Sequence, residues 1–96
     1  MYYLGIDGGG SQTRALVCDA SGRIFGRGLS GPSNPSTNSE LTVRENLLDA
    51  MQQAASKIES TRIRAAYLGV AGASDPIKKK KLLKIAQEFF SSQALN

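Results

Sequence analysis

The sequence contains no histidine and no tryptophan, and Cys18 is its only cysteine. A lone thiol closes no internal disulfide, and without imidazole or paired thiolates a zinc cluster has no ligand set. No apolar run approaches the ~20 residues that cross a bilayer, so no membrane partner is expected. The opening MYYLGIDGG has no basic segment and meets glycine and aspartate too early for a secretory signal, which makes a cytoplasmic location the expectation. Only 6% of the 96 residues are aromatic, while 41% are hydrophobic and 21% charged. That balance belongs to an ordinary soluble globular protein, at a length that suits one small domain or part of a larger one.

Acidic residues are outnumbered, eight against twelve basic, leaving a net charge of +4. The excess invites a nucleic-acid reading, but much of it sits in one run, Lys78-Lys79-Lys80-Lys81, with no aromatic residue interleaved. A run of that kind on a helix reads as a solvated face, and no nucleic-acid partner is expected.

Glycine, by contrast, is abundant, and three of the ten stand together in Asp7-Gly8-Gly9-Gly10-Ser11-Gln12-Thr13. The apolar, aromatic run Tyr2–Ile6 before them reads as a strand. Arg14–Asp19 resumes a β-type run, Ala20-Ser21-Gly22 is turn chemistry, and Arg23–Leu29 reads as a third strand weakened or bulged by its glycines. Strand, tight loop, strand, turn and strand form an antiparallel meander. Ser30–Asn38 is a loop, and Thr37-x-x-Glu40 has the spacing of a capping box that opens a helix. Val43, Leu47, Met51, Ala54 and Ile58 then recur at helical intervals, with Leu48 and Ala55 widening a stripe that covers a sheet. Ile63–Ala71 is the fourth strand candidate. Asp75-Pro76 supplies a cap and a first-turn proline for a second helix, whose buried face is expected at Leu82, Leu83, Ala86, Phe89 and Phe90. The order is β-β-β-α-β-α, an α/β architecture with no fifth strand. The expectation is of an interrupted fold with an open sheet edge, where dimerisation or strand exchange is possible.

Consecutive glycines let backbone N–H groups converge on an anion without obstruction by a Cβ. The Walker A pattern is absent because no lysine follows Gly10. The dinucleotide fingerprint is absent because Thr13 stands where its third glycine would open a helix. The loop is a glycine turn inside a β-hairpin. A carboxylate beside a phosphate repels it unless a cation lies between, and Mg²⁺ bonds both. Asp7 therefore points to Mg²⁺, and Ser11 and Thr13 to hydroxyl donors for the β- and γ-phosphates of a nucleotide. A ligand-free hairpin turn explains Asp-Gly, but not three glycines followed by serine and threonine.

YLGIDGGGSQTRALVCDASGRIFGRG resembles the opening of the sugar kinase, heat-shock chaperone and actin ATPase superfamily. The likeness is greatest to the BadF/BadG/BcrA/BcrD ATPase family, which includes N-acetylglucosamine kinases. DGGGSQT resembles that family's first phosphate motif. SGPSNP resembles the Gly-Pro-x-Asn segment after the third strand, and YLGVAGASDP the Leu-Gly-x-Ala-Gly-Ala segment after the fourth. The resemblance implies a ribonuclease-H-like ATPase half-domain over residues 1–96, without the second nucleotide-binding domain. It implies that Asp7 acts on Mg²⁺ or its waters, and that Gly9, Gly10, Ser11 and Thr13 bind ATP phosphates. By the same resemblance Asn34, Gly72 and Ala73 face an amino sugar. Taken alone, Asn34 reads as a turn residue before Pro35.

Gln12 stands where many members carry lysine, so Arg14 is the remaining cation nearby. The family's catalytic aspartate would fall beyond residue 96. No catalytic residue is assigned within the chain, which is expected to be an N-terminal piece of an amino-sugar kinase, inert by itself. The alternatives are an ATPase activator of the benzoyl-CoA reductase or hydroxyacyl-CoA dehydratase type, or a stand-alone binding or assembly fragment. The activator type uses cysteine-held iron–sulfur clusters, which Cys18, centred in a strand, is poorly placed to bind; it reads as a core residue.

Overall fold

A computed structural model describes residues 1–59 and 62–94, with the side chains of residues 92–94 outside that description. Three strands follow one another as a meander: β1 (Tyr2–Gly8), β2 (Thr13–Asp19) and β3 (Ile24–Ser30). Helix α1 (Glu40–Ala54), strand β4 (Ile63–Val70) and helix α2 (Pro76–Ala94) complete the described chain. The sheet order is β3-β2-β1-β4, with β4 parallel to β1 and the other pairs antiparallel. The expected element order therefore holds, with shifts of a residue or two at most strand ends. The exception that matters is β1, which runs through Asp7 and Gly8 and takes both out of the loop.

Alternation along the strands gives the sheet two unlike faces. Leu4, Ile6, Ala15 and Val17 are buried on one, beneath Val43, Leu47, Ala50, Met51 and Ala54 of α1 and Leu82, Ile85, Ala86 and Phe89 of α2. Leu47 and Met51 are wholly removed from solvent, a burial worth about 1.5–3 kcal/mol for each side chain. The opposite face, with Asp7, Arg14, Leu16, Arg27 and Tyr67, lines a broad open concavity.

Gly26 and Gly28 give the reason for the glycines in β3. A Cβ at either would fall on the backbone carbonyl of Ala54 or Ala50, so the helix rests directly on the strand. The strand is bulged opposite Val17 and Cys18, as the sequence suggests. At its outer edge Gln53 imitates a neighbouring strand: its Oε1 accepts from Leu29 N at 3.0 Å and its Nε2 donates to Leu29 O at 2.9 Å.

Three expectations are corrected. The cap of α1 is Ser39, whose hydroxyl accepts from Thr42 N at 3.2 Å, and not Thr37. Thr37 N and Asn38 N are both drawn back to Asn34 O, which holds Thr37 in a turn. Ile58 lies past the end of α1 but still packs on the core. On α2, Ile85 takes the buried place expected for Leu83, which is 46% exposed. The start of α2 is as expected, with Asp75 Oδ1 accepting from Ile77 N at 2.9 Å. The lysine run is largely solvated, though Lys81 pairs with Glu40 at 2.9 Å and Lys78 donates to Ser36 Oγ at 3.1 Å.

Candidate functional site

Three segments far apart in sequence meet at the carboxyl ends of β1 and β4. The first is the four-residue turn between β1 and β2, closed by Gly9 N donating to Gln12 O at 3.0 Å. The second is the loop after β3, where Ser33 N donates to Gly9 O at 3.1 Å. The third is the turn after β4, where Ala71 N donates to Gly8 O at 2.9 Å. Two successive carbonyls of the glycine run are thus held from outside the hairpin.

The three glycines serve different ends. Gly8 is buried in β1, and a Cβ there would fall on the hydroxyl of Ser33. Gly10 is exposed with no atom within 4 Å of a notional Cβ, and its N–H and that of Ser11 bond no group among the described residues. Gly9 lies between these extremes. Open space and free N–H groups are therefore concentrated at Gly10 and Ser11, where an anion would find donors.

Asp7 and Arg14 are cross-strand partners on the open face. They share a cavity of about 290 Å³ with Gly9, Ser11 and Gln12. With the Gln12 amide turned so that its oxygen faces the guanidinium, Oε1 accepts from Arg14 Nη2 at 2.7 Å and Nε at 3.0 Å. Gln12 thereby aims the cation that stands beside the turn. Among the described residues no three metal-ligating side chains cluster. Asp7 could hold Mg²⁺ only together with phosphate oxygens and water, which is how that ion commonly binds nucleotides.

Thr13 differs from the expectation. Its side chain is wholly buried, and its hydroxyl lies 2.8 Å from Gly31 O and 2.7 Å from Ser33 Oγ. A threonine hydroxyl has a single proton. With that proton given to the carbonyl, the Ser33 hydroxyl donates to Thr13. Thr13 thus anchors the loop after β3 and presents no free donor to a phosphate, whereas Ser11 is exposed and does.

Asn34 and Gly72 are brought together, and Ala73 is not with them. Gly72 has φ +81°, and a Cβ on it would meet the Asn34 carboxamide. Asn34 Oδ1 accepts from Ser36 N at 2.8 Å, the turn role its sequence context suggests, while its Nδ2 donates to no group among the described residues. The Ala73 methyl packs against the core. Cys18 is half-buried in β2.

Two residues escaped the sequence reading, Ser33 and Asn46. Asn46 Nδ2 donates to Pro32 O at 2.7 Å, fastening the loop to α1. The available signal was a carboxamide lying between Val43 and Ala50 on the buried flank of a helix. Ser33 carried no signal, since a serine between two loop prolines is unremarkable.

A meander crossing to a parallel fourth strand, with both helices on one face and a glycine turn at the strand ends, is the opening of the actin-like ATPase fold. Two solved structures have that fold over nearly all of this chain. One, from Porphyromonas gingivalis, is assigned as an N-acetylglucosamine kinase and matches 93% of this chain with a TM-score of 0.75 and 22% identity. The other, from Chromobacterium violaceum and similarly assigned, matches 94% with a TM-score of 0.59 and 23% identity. This chain spans 30% of each. Residues 4–95 match the BadF/BadG/BcrA/BcrD ATPase family, and the chain belongs to that family. Over 54 residues it is 41% identical to the glucosamine kinase GspK of Vibrio cholerae, a stretch covering 56% of this chain and 18% of that protein.

Proposed function

We propose that these residues form the phosphate- and acceptor-binding side of an ATP-dependent amino-sugar kinase. Its product would be the 6-phosphate of N-acetylglucosamine or glucosamine. The observation that carries this reading is the meeting of the Gly9–Gln12 turn with Asn34 and Gly72 at one end of the sheet. A phosphate donor and a hydroxyl acceptor must lie side by side for in-line transfer.

In this reading Gly10 and Ser11 N–H groups and the Ser11 hydroxyl bind the β- and γ-phosphates. The Arg14 guanidinium, steadied by Gln12, offsets charge at the outer oxygens. Asp7 would hold Mg²⁺ on the protein side, and the ion would supply charge neutralisation for the phosphates. Asn34 Nδ2 donates to a sugar hydroxyl, and the bare backbone at Gly72 makes the place that the Asn34 carboxamide occupies. The kinase names of the relatives support the substrate class, and the family supports ATP as the donor.

Neither a base that orients the acceptor hydroxyl nor a second phosphate clamp is assigned among these residues, which span 30% of each solved relative. A chain limited to them is accordingly inert and binds Mg-ATP weakly. The test is ADP release by the protein at its natural length, with Mg-ATP and each amino sugar in turn, and mass spectrometry of the product. Sugar-dependent ADP release with a phosphorylated product is expected. A folded protein that releases no ADP in response to either sugar refutes the assignment.

A further inference from the structure

Ser33 belongs to the acceptor loop by sequence and to the phosphate turn by contact. Its N–H bonds Gly9 O at 3.1 Å, and the same peptide unit carries the Gly10 N–H on its opposite side. A peptide unit is planar, so whatever fixes its carbonyl also fixes the direction of its N–H. Rotation of the unit between two glycines meets little steric resistance, and an external bond is needed to select one orientation. Ser33 supplies that bond, its side chain anchored in turn while its main chain continues into the acceptor loop. Its side chain is wholly buried against Gly8, and its hydroxyl joins the relay through Thr13 to Gly31 O. Its own carbonyl carbon begins the peptide bond to Asn34.

We propose that Ser33, with Thr13 as its anchor, is a positioning residue that couples the acceptor loop to the phosphate turn. Acceptor bound at Asn34 then holds Ser33 in place, Ser33 holds the Gly9–Gly10 peptide, and Gly10 N–H is aimed at the nucleotide. The consequence is positive cooperativity between amino sugar and Mg-nucleotide. By linkage it is reciprocal, with each ligand tightening the other by the same factor. This inference rests on the kinase reading of the site.

The experiment is titration calorimetry on the protein at its natural length, using Mg-ADP with and without saturating N-acetylglucosamine or glucosamine. The wild type is expected to show a coupling factor of about five or more, the lower end of ordinary allosteric coupling. Thr13→Val and Ser33→Ala should bring the factor towards one, and Thr13→Ser, which restores the hydroxyl, should recover it. A merely structural role would lower stability or both affinities while leaving their ratio unchanged, and that result overturns the proposal. So does a wild-type factor of one. Ligand-free amide exchange at Gly10 separates the two failures. If the wild type binds no Mg-ADP, the kinase reading fails. The tether alone is then upheld by a change in Gly10 exchange in Ser33→Ala and refuted by its absence.

Discussion

Gly8 and Gly10 are two residues apart and invite the same substitution, yet the structure assigns them opposite responses. A Cβ on Gly8 would occupy the position of the Ser33 hydroxyl, while its next contacts, Ser33 Cβ and Val70 Cγ1, lie at an ordinary 3.4 Å. The inexpensive escape is rotation of Ser33 about χ1, which breaks its bond to Thr13 and strands a buried hydroxyl. An unsatisfied buried polar group costs about 1–3 kcal/mol. Restricting the unfolded chain returns about 0.4–1 kcal/mol, since Gly8 does not have positive φ. Gly8→Ala should therefore destabilise by about 1–2 kcal/mol, read as a lower urea midpoint at unchanged slope. Gly10→Ala, with open space around it and no positive φ, should stay within about 0.5 kcal/mol of the wild type and lose affinity for Mg-ADP instead. The cause is isolated by a double-mutant cycle. In a Ser33→Ala background the obstructing oxygen is gone, and Gly8→Ala should cost little. Equal losses at both glycines would refute the reasoning, and so would a full Gly8→Ala penalty in the Ser33→Ala background.

Gly72→Ala forces a side chain into left-handed backbone and against the Asn34 carboxamide. A loss of about 1–3 kcal/mol in stability is expected, with sugar KM raised more than nucleotide KM in steady-state assays. Gln53→Ala removes both bonds to Leu29 and uncovers that stretch of the β3 edge; a loss of about 1 kcal/mol and more association by light scattering are expected. The Asp19 carboxyl is held below the usual carboxylate range, chiefly by the Ser21 hydroxyl and further by the Arg23 and Ser21 N–H groups. A depressed folded value means that its contribution is present above the unfolded value, ordinarily about 3.8, and fades as pH falls through the folded one. Asp19→Asn should flatten the acid limb of the stability profile there and change little near neutrality.

The architecture was legible because its signals are local and redundant. Alternating apolar residues, a glycine turn and an Asp-Pro helix start each name their element without reference to the others. Most of the errors fell where a distant segment decides the matter, and one where a competing local turn does. Thr37 has the spacing of a cap but is pulled into a turn by Asn34. Leu83 and Ile85 are equally apolar, and the side of α2 that faces the core chooses between them. The glycines of β3 read as weakness and are the seat of α1, a fact visible only once Ala50 and Ala54 stand over them. In the candidate site, the glycine turn between two strands was readable from the motif. The inward turn of Thr13 was not, because its partners Gly31 and Ser33 follow a whole hairpin later.

The meeting of three turns at one end of the sheet also has a thermodynamic consequence. Residues 7–13, 31–36 and 70–73 are neighbours only when the meander, the crossover and the parallel pairing of β4 are all in place. Unfolding separates those segments, so a molecule recognised there binds native in preference to denatured protein. Such a ligand stabilises the fold by RT ln(1 + [L]/Kd), about 2.7 kcal/mol at a hundredfold excess over Kd. Thermal shift against a panel of nucleotides and sugars thus becomes a direct assay of what this site recognises, with no turnover required.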